Sequence, residues 1–151
     1  MFQGLARWLR AAGYHAACNP GVPDGELVRQ AEREGRLLIT SDTRMLERRV
    51  IRTGSVRSLY VPGGLSNEAA LAYVLRKLDL PLRETRCMAC GGVLEVVPKE
   101  TVADAIPPKA YEFYSTFFRC TGCGKVFWHG THWPSICATL ARAAGKSVEE
   151  S

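Results

Sequence analysis

The sequence predicts an α/β protein, with a parallel sheet and flanking helices over residues 1–82 and a small cysteine-bearing ribbon over residues 83–145. Three observations predict it. Apolar stripes at helical spacing alternate with short continuous apolar runs through the first half of the chain. That alternation breaks at Asp79, Leu80, Pro81 and Leu82. Beyond the break, two Cys-x-x-Cys pairs, Gly-rich turns and β-like runs take over.

Leu5, Ala6, Trp8, Leu9 and Ala12 form one apolar stripe, and Gly13 supplies a stop, so a first helix is expected over about residues 4–12. Arg7 and Arg10 stand three apart on its other face. A short apolar strand is expected at residues 15–18. After the turn-rich Asn19-Pro20-Gly21-Val22-Pro23, Asp24 can cap a helix carrying Leu27, Val28 and Ala31 and closed by Gly35. Leu37, Leu38, Ile39 and Thr40 are continuously apolar rather than alternating, as in a parallel strand covered on both faces, and the run ends at Ser41-Asp42. A short helix through Met45 and Leu46, a strand around residues 56–61, and the turn Pro62-Gly63-Gly64 follow. Leu71, Val74, Leu75 and Leu78 then mark another helix. The last element is a helix over about residues 134–144, with Pro134 in its first turn and Gly145 past its end. Residues 146–151 are expected to be a disordered tail.

At 151 residues the chain has room for one ordinary domain or two small ones, and 46% hydrophobic with 23% charged residues excludes a disordered chain. No run approaches the roughly 18 apolar residues of a membrane span, and the first residues lack a secretory pattern, so a cytoplasmic protein is expected. The net charge of +5 suits a polyanionic partner without demanding one.

Cys87 with Cys90 and Cys120 with Cys123 are two Cys-x-x-Cys knuckles separated by 29 residues and followed by glycines. Two knuckles supply the four soft ligands of a tetrahedral zinc, and because all four positions are filled by sulfur the site is expected to be structural. Residues 93–97, 117–118 and 126–128 are the expected ribbon strands, too few to stand without the metal. Cys18 and Cys137 are left over and are expected to be small buried hydrophobes. Asp42 lies where a parallel strand opens into a loop, the place α/β sheets put ligands, but it is equally suited to cap the helix that follows. Asp24 carries the same ambiguity. Two acids at one sheet edge can hold magnesium or manganese; a third acid is expected and none stands on an earlier strand. Phe127, Trp128 and Trp133 suit either base stacking or the core of the ribbon.

Leu5-Ala6-Arg7-Trp8-Leu9-Arg10 with Gly13-Tyr14, the Asp24 helix, the run ending in Ser41-Asp42, Arg86-Cys87 with Cys90, and the stretch from Cys120 to Trp133 with its Phe-Trp-His-Gly-Thr-His-Trp together resemble the Mut-seven C-terminal RNase domain family. The resemblance covers almost the whole chain. It implies a PIN-like nuclease fold with a C-terminal zinc ribbon, and a ribonuclease in which carboxylates hold magnesium or manganese while an activated water attacks the phosphodiester in line. Asp24 and Asp42 match family acids and are the expected catalytic residues. Gln3 stands where the family usually has Gly, and Ser41 where it usually has Arg. The family's first strand and first acid fall ahead of Met1, so Met1 is expected to be an internal residue of a longer natural protein. On this reading Arg7, Arg10, Arg44 and His132 are candidates for RNA contact, against solvated or internally bonded alternatives. A noncatalytic module that binds RNA or protein is the competing reading.

Overall fold

The structure, a computed structural model, describes residues 2–145; Met1 and residues 146–151, with the expected tail, lie outside the described residues. Its first half is a helical layer around a small parallel sheet. Helix α1 (Gln3–Ala11) buries Leu5, Ala6 and Leu9, as its stripe requires. Helix α2 (Asp24–Glu34) buries Val28 and Ala31 and ends on Gly35, whose φ of +65° is the left-handed cap that glycine adopts without a Cβ clash. Strands β1 (Leu38–Thr40) and β2 (Ser58–Tyr60) pair in parallel, Leu38 opposite Ser58 and Thr40 opposite Tyr60. Between them run a 3-10 turn (Met45–Glu47) and helix α3 (Arg49–Arg52). Helix α4 (Asn67–Lys77) starts on Ser66, whose hydroxyl accepts the Ala69 N–H at 3.1 Å.

The second half holds an antiparallel ribbon in the order β3 (Leu94–Val97), β4 (Phe117–Cys120), β5 (Val126–Phe127). Between β3 and β4 lie a 3-10 segment (Lys99–Ala105) and helix α5 (Pro108–Phe113), neither of which the sequence reading anticipated. Val102 of the 3-10 segment and Ile106 just past its end close over Phe117 and give the ribbon a core of its own. Helix α6 (Trp133–Ala143) completes the chain.

Three expectations are corrected. Residues 15–18 form no strand, because side chains rather than a neighbouring strand take their carbonyls: Arg36 donates to His15 and Arg10 to Ala16. Asp24 is the first helical residue and Pro23 the cap, so the Asp24 side chain does not cap the helix. Helix α6, expected to belong to the ribbon, instead lays Leu140 and Ala143 into the main core with Leu5 and Leu9 of α1 and Leu71, Val74 and Leu75 of α4. The boundary near residue 82 is therefore crossed twice, once by the linker and once by α6.

The linker itself is docked. Arg83 N–H donates to Ala12 O at 2.8 Å, Thr85 Oγ1 to Ala11 O at 2.7 Å and Arg86 N–H to Arg10 O at 2.9 Å, so the carbonyls left open at the end of α1 are satisfied by residues 83–86. Gly13 permits the approach: its φ is +102°, and a Cβ there would stand 2.4 Å from Arg83 Cβ.

Candidate functional site

The ribbon strands bring the two cysteine knuckles together. All four Sγ atoms lie within 4.8 Å of one another, with Cys87 and Cys123 at 3.7 Å and Cys90 and Cys120 at 3.4 Å. Sulfurs on a tetrahedral zinc, at 2.3 Å from the ion, stand ~3.8 Å apart, and a disulfide would need ~2.05 Å, so the spacing fits a shared metal and not a bridge. The glycines are set by the sulfurs: Gly92 N–H donates to Cys90 Sγ and Gly122 N–H to Cys120 Sγ, both at 3.3 Å. A Cβ on Gly92 would come within 2.7 Å of Cys120 Sγ. Burial pushes the Cys87 thiol up to about 12. At Cys120 burial opposes ionisation, but the N–H groups of Cys123 and Gly122 and the neighbouring thiols outweigh it and hold the group at about 6. Such donors to sulfur are what a metal-thiolate knuckle uses. The quartet can therefore hold a structural metal such as zinc.

Arg10 is the residue that local spacing misplaced. It was expected beside Arg7 on an exposed basic face; Arg7 is exposed, but Arg10 is 8% accessible and its guanidinium faces inward. Its Nε–H goes to Ala16 O at 2.8 Å, and Nη1 donates to Met88 O at 2.9 Å and Ala89 O at 3.3 Å. Met88 and Ala89 are the two middle residues of the first knuckle. Arg86 adds an Nε–H to Gly91 O at 2.7 Å. Two guanidinium groups thus tie the knuckle backbone to α1, beside a centre that is anionic when four thiolates hold zinc. The expected RNA contact by Arg10 is corrected to this role, since the side chain is buried and its Nε and Nη1 donate to carbonyls. No local signal could have shown its tie to the knuckle, because Met88 and Ala89 lie 78 and 79 positions away.

Asp42 stands two residues beyond β1, half-buried, at the carboxyl end of the parallel pair. Its Oδ1 accepts the Arg44 N–H at 2.9 Å and lies 3.4 Å from Arg44 Nε. The backbone N–H of Arg44, foremost, and then its side chain hold the Asp42 carboxyl below the usual range, so it is anionic at neutral pH. The expected helix cap is therefore corrected: Asp42 closes a local turn onto Arg44, while the 3-10 turn Met45–Glu47 has Arg44 at its cap and no side-chain cap bond, and Oδ2 stays out of these two contacts. Arg44 is itself 87% exposed. Asp24 is exposed at the start of α2. Among the described residues the cysteine quartet is the cluster of three or more metal-ligating side chains; the acids form none. Carboxylate oxygens suit magnesium or manganese, and one or two of them with substrate phosphate make an ordinary site; among the described residues neither Asp24 nor Asp42 belongs to a cluster of three or more such ligands.

His132 is exposed at the cap of α6, outside the quartet. The aromatic residues divide. Trp128 turns into the ribbon core, its ring 6.1 Å from Phe117. Trp133 instead stacks on His129, with centroids 4.1 Å apart and planes 1° from parallel.

A mixed α/β layer with a small parallel sheet, joined to a four-cysteine ribbon, is the architecture these elements define. The family model of the Mut7-C RNAse domain matches residues 1–140. The chain belongs to the Mut7-C RNase domain family, and with it to proteins of nuclease type. Neither a curated protein nor a solved structure matches it. No described helix is long and apolar enough to cross a membrane.

Proposed function

We propose that the chain hydrolyses RNA phosphodiesters at the carboxyl end of β1, on a layer of PIN-like type, with Asp42 and Asp24 as the carboxylates that would hold magnesium or manganese and zinc as the structural ion of the cysteine quartet. The observation that carries the reading is an anionic Asp42 at the ligand-binding edge of a parallel sheet, in a chain that belongs to an RNase domain family. A divalent cation there would polarise the phosphate and lower the pKa of an attacking water. The residues of the chain do the rest. Arg44 N–H orients the Asp42 carboxylate, and the exposed Arg44 guanidinium sits within reach of that edge to meet the phosphate charge. Arg7 and His132, both exposed, are further candidates for backbone contact. Six cysteines without a disulfide among them suit a reducing compartment such as the cytoplasm.

The test is Asp42→Asn, which keeps an Oδ1 acceptor for Arg44 while removing the charge. Cleavage of a labelled RNA in magnesium or manganese is expected to vanish while zinc content and far-UV circular dichroism stay unchanged. Undiminished cleavage would sink the assignment. One observation favours a second reading: among the described residues no three acids come together, as in a noncatalytic RNA- or protein-binding module. A parent chain that binds RNA yet cleaves nothing under either metal would favour that reading instead.

A further inference from the structure

A groove of about 370 Å3 runs between residues 83–88, the ribbon and the start of α6. One wall is a ladder of rings. Phe118 lies 5.2 Å from the His129 ring at 31°, and His129 lies flat on Trp133. The facing segment carries Arg83, Glu84 and Arg86, two guanidinium groups against one carboxylate, which leaves the mouth positive. Among the described residues neither arginine enters an ion pair. Arg83 rests 5.1 Å over the Tyr14 ring, and Arg86 is anchored through Nε to Gly91 O.

We infer that this groove binds an unpaired nucleotide of RNA, with the base against the Phe118–His129–Trp133 ladder and the flanking phosphates on Arg83 and Arg86. The inference rests on the reading of RNA as substrate and names a second contact, whose lining includes neither Asp24 nor Asp42. Its chemistry follows from the two walls. Every base offers a π-face to an aromatic platform, whatever the sequence, and a guanidinium meets phosphate in bidentate fashion. The volume is at the low end of the ~300–1,000 Å3 of small-molecule sites, which admits one base with its sugar and excludes a duplex. Specific contact with RNA characteristically takes bases out of the stack in this way. The combination also discriminates against an apolar peptide, since one side of the groove would leave two guanidinium groups without an anion. The zinc knuckle supports the site through Arg86 and through β4, so the ribbon has a task in substrate binding beyond its own folding.

Binding and cleavage are measured separately, so that this inference and the nuclease reading fail separately. The zinc-loaded chain, without magnesium or manganese, is titrated into a labelled single-stranded oligoribonucleotide of about eight nucleotides, and into its duplex. The single strand should bind more tightly. Trp133→Ala should weaken it ~5- to 150-fold, as loss of one base–aromatic stack does, and Trp133→Phe should recover most of that loss. Arg83→Ala should lower the slope of log affinity against log salt by about one. Zinc content and circular dichroism report whether each variant is folded; if Trp133→Ala is not, Trp133→Phe with parental affinity and the reduced slope of Arg83→Ala together carry the result. Parental affinity in both Trp133→Ala and Arg83→Ala overturns the inference, as does preference for duplex or no binding of RNA at all. Binding that depends on Trp133 in a chain that cleaves nothing would leave this site standing and remove the nuclease reading; cleavage lost in Asp42→Asn with affinity indifferent to Trp133 would do the reverse.

Discussion

Arg10 does more than any other single charged residue to hold the two halves together. Its Cα belongs to the first helix, and its guanidinium reaches three carbonyls, two of them on the first cysteine knuckle. Removing a buried charged donor leaves those acceptors unmet, so Arg10→Ala should lower unfolding free energy by about 3 kcal/mol in urea titration. Arg10→Lys should recover little, because an ammonium has no planar fork to span Ala16 and Met88 at once; full recovery would mean that charge alone matters. Asp42 gives a second test at this scale. Its folded pKa is depressed, so its contribution to stability is present above the unfolded value of about 3.8 and lost as pH falls through the lower folded value. Following its carboxyl carbon by NMR should show the titration below that of a free aspartate, and Arg44→Pro, which deletes the N–H, should move it back up.

At the scale of elements, the ribbon is three short strands with a core of three buried residues, and the metal site supplies what that core lacks. Removing zinc with a strong chelator should therefore melt β3, β4 and β5, seen as lost amide protection over those strands. Zinc affinity should also fall with falling pH, since each sulfur must shed its proton to bind. Helix α6 presents the opposite case, an element stabilised by packing alone. Leu140 is 6% accessible between α1 and α4, and Leu140→Ala should cost about 2–5 kcal/mol, measured by thermal or denaturant unfolding. The ion pair of Arg142 on α6 with Glu68 on α4 is 2.9 Å long, but both side chains are about half exposed, and such pairs contribute little.

At the scale of the whole molecule, three ties cross the boundary between the α/β layer and the ribbon: the docked linker, the Arg10 clamp and α6. Three ties should couple the two halves into one cooperative unit. Thermal unfolding of the zinc-loaded chain should show a single transition, coincident by far-UV circular dichroism and by tryptophan fluorescence; two separated transitions would show independent domains. Zinc removal should lower the midpoint of the α/β layer too, because melting the knuckle frees the carbonyls that Arg10 holds.

The elements that depend on near neighbours were legible in the sequence: the stripe of α1, the Gly35 stop of α2, the continuous run of β1 and the two cysteine knuckles, each set by side chains within a few residues. The cysteine quartet was legible despite its 29-residue gap because tetrahedral sulfur ligation imposes a spacing of its own. Tertiary structure alone decided the rest. It turned Arg10 inward, moved α6 from the ribbon to the main core, and sent Trp128 into the interior while leaving Trp133 on a groove. The physical reason is common to all three. Helical and strand periodicity says that a side chain has a face, but which surface that face meets is fixed by chain segments tens of residues away, and no local pattern encodes them.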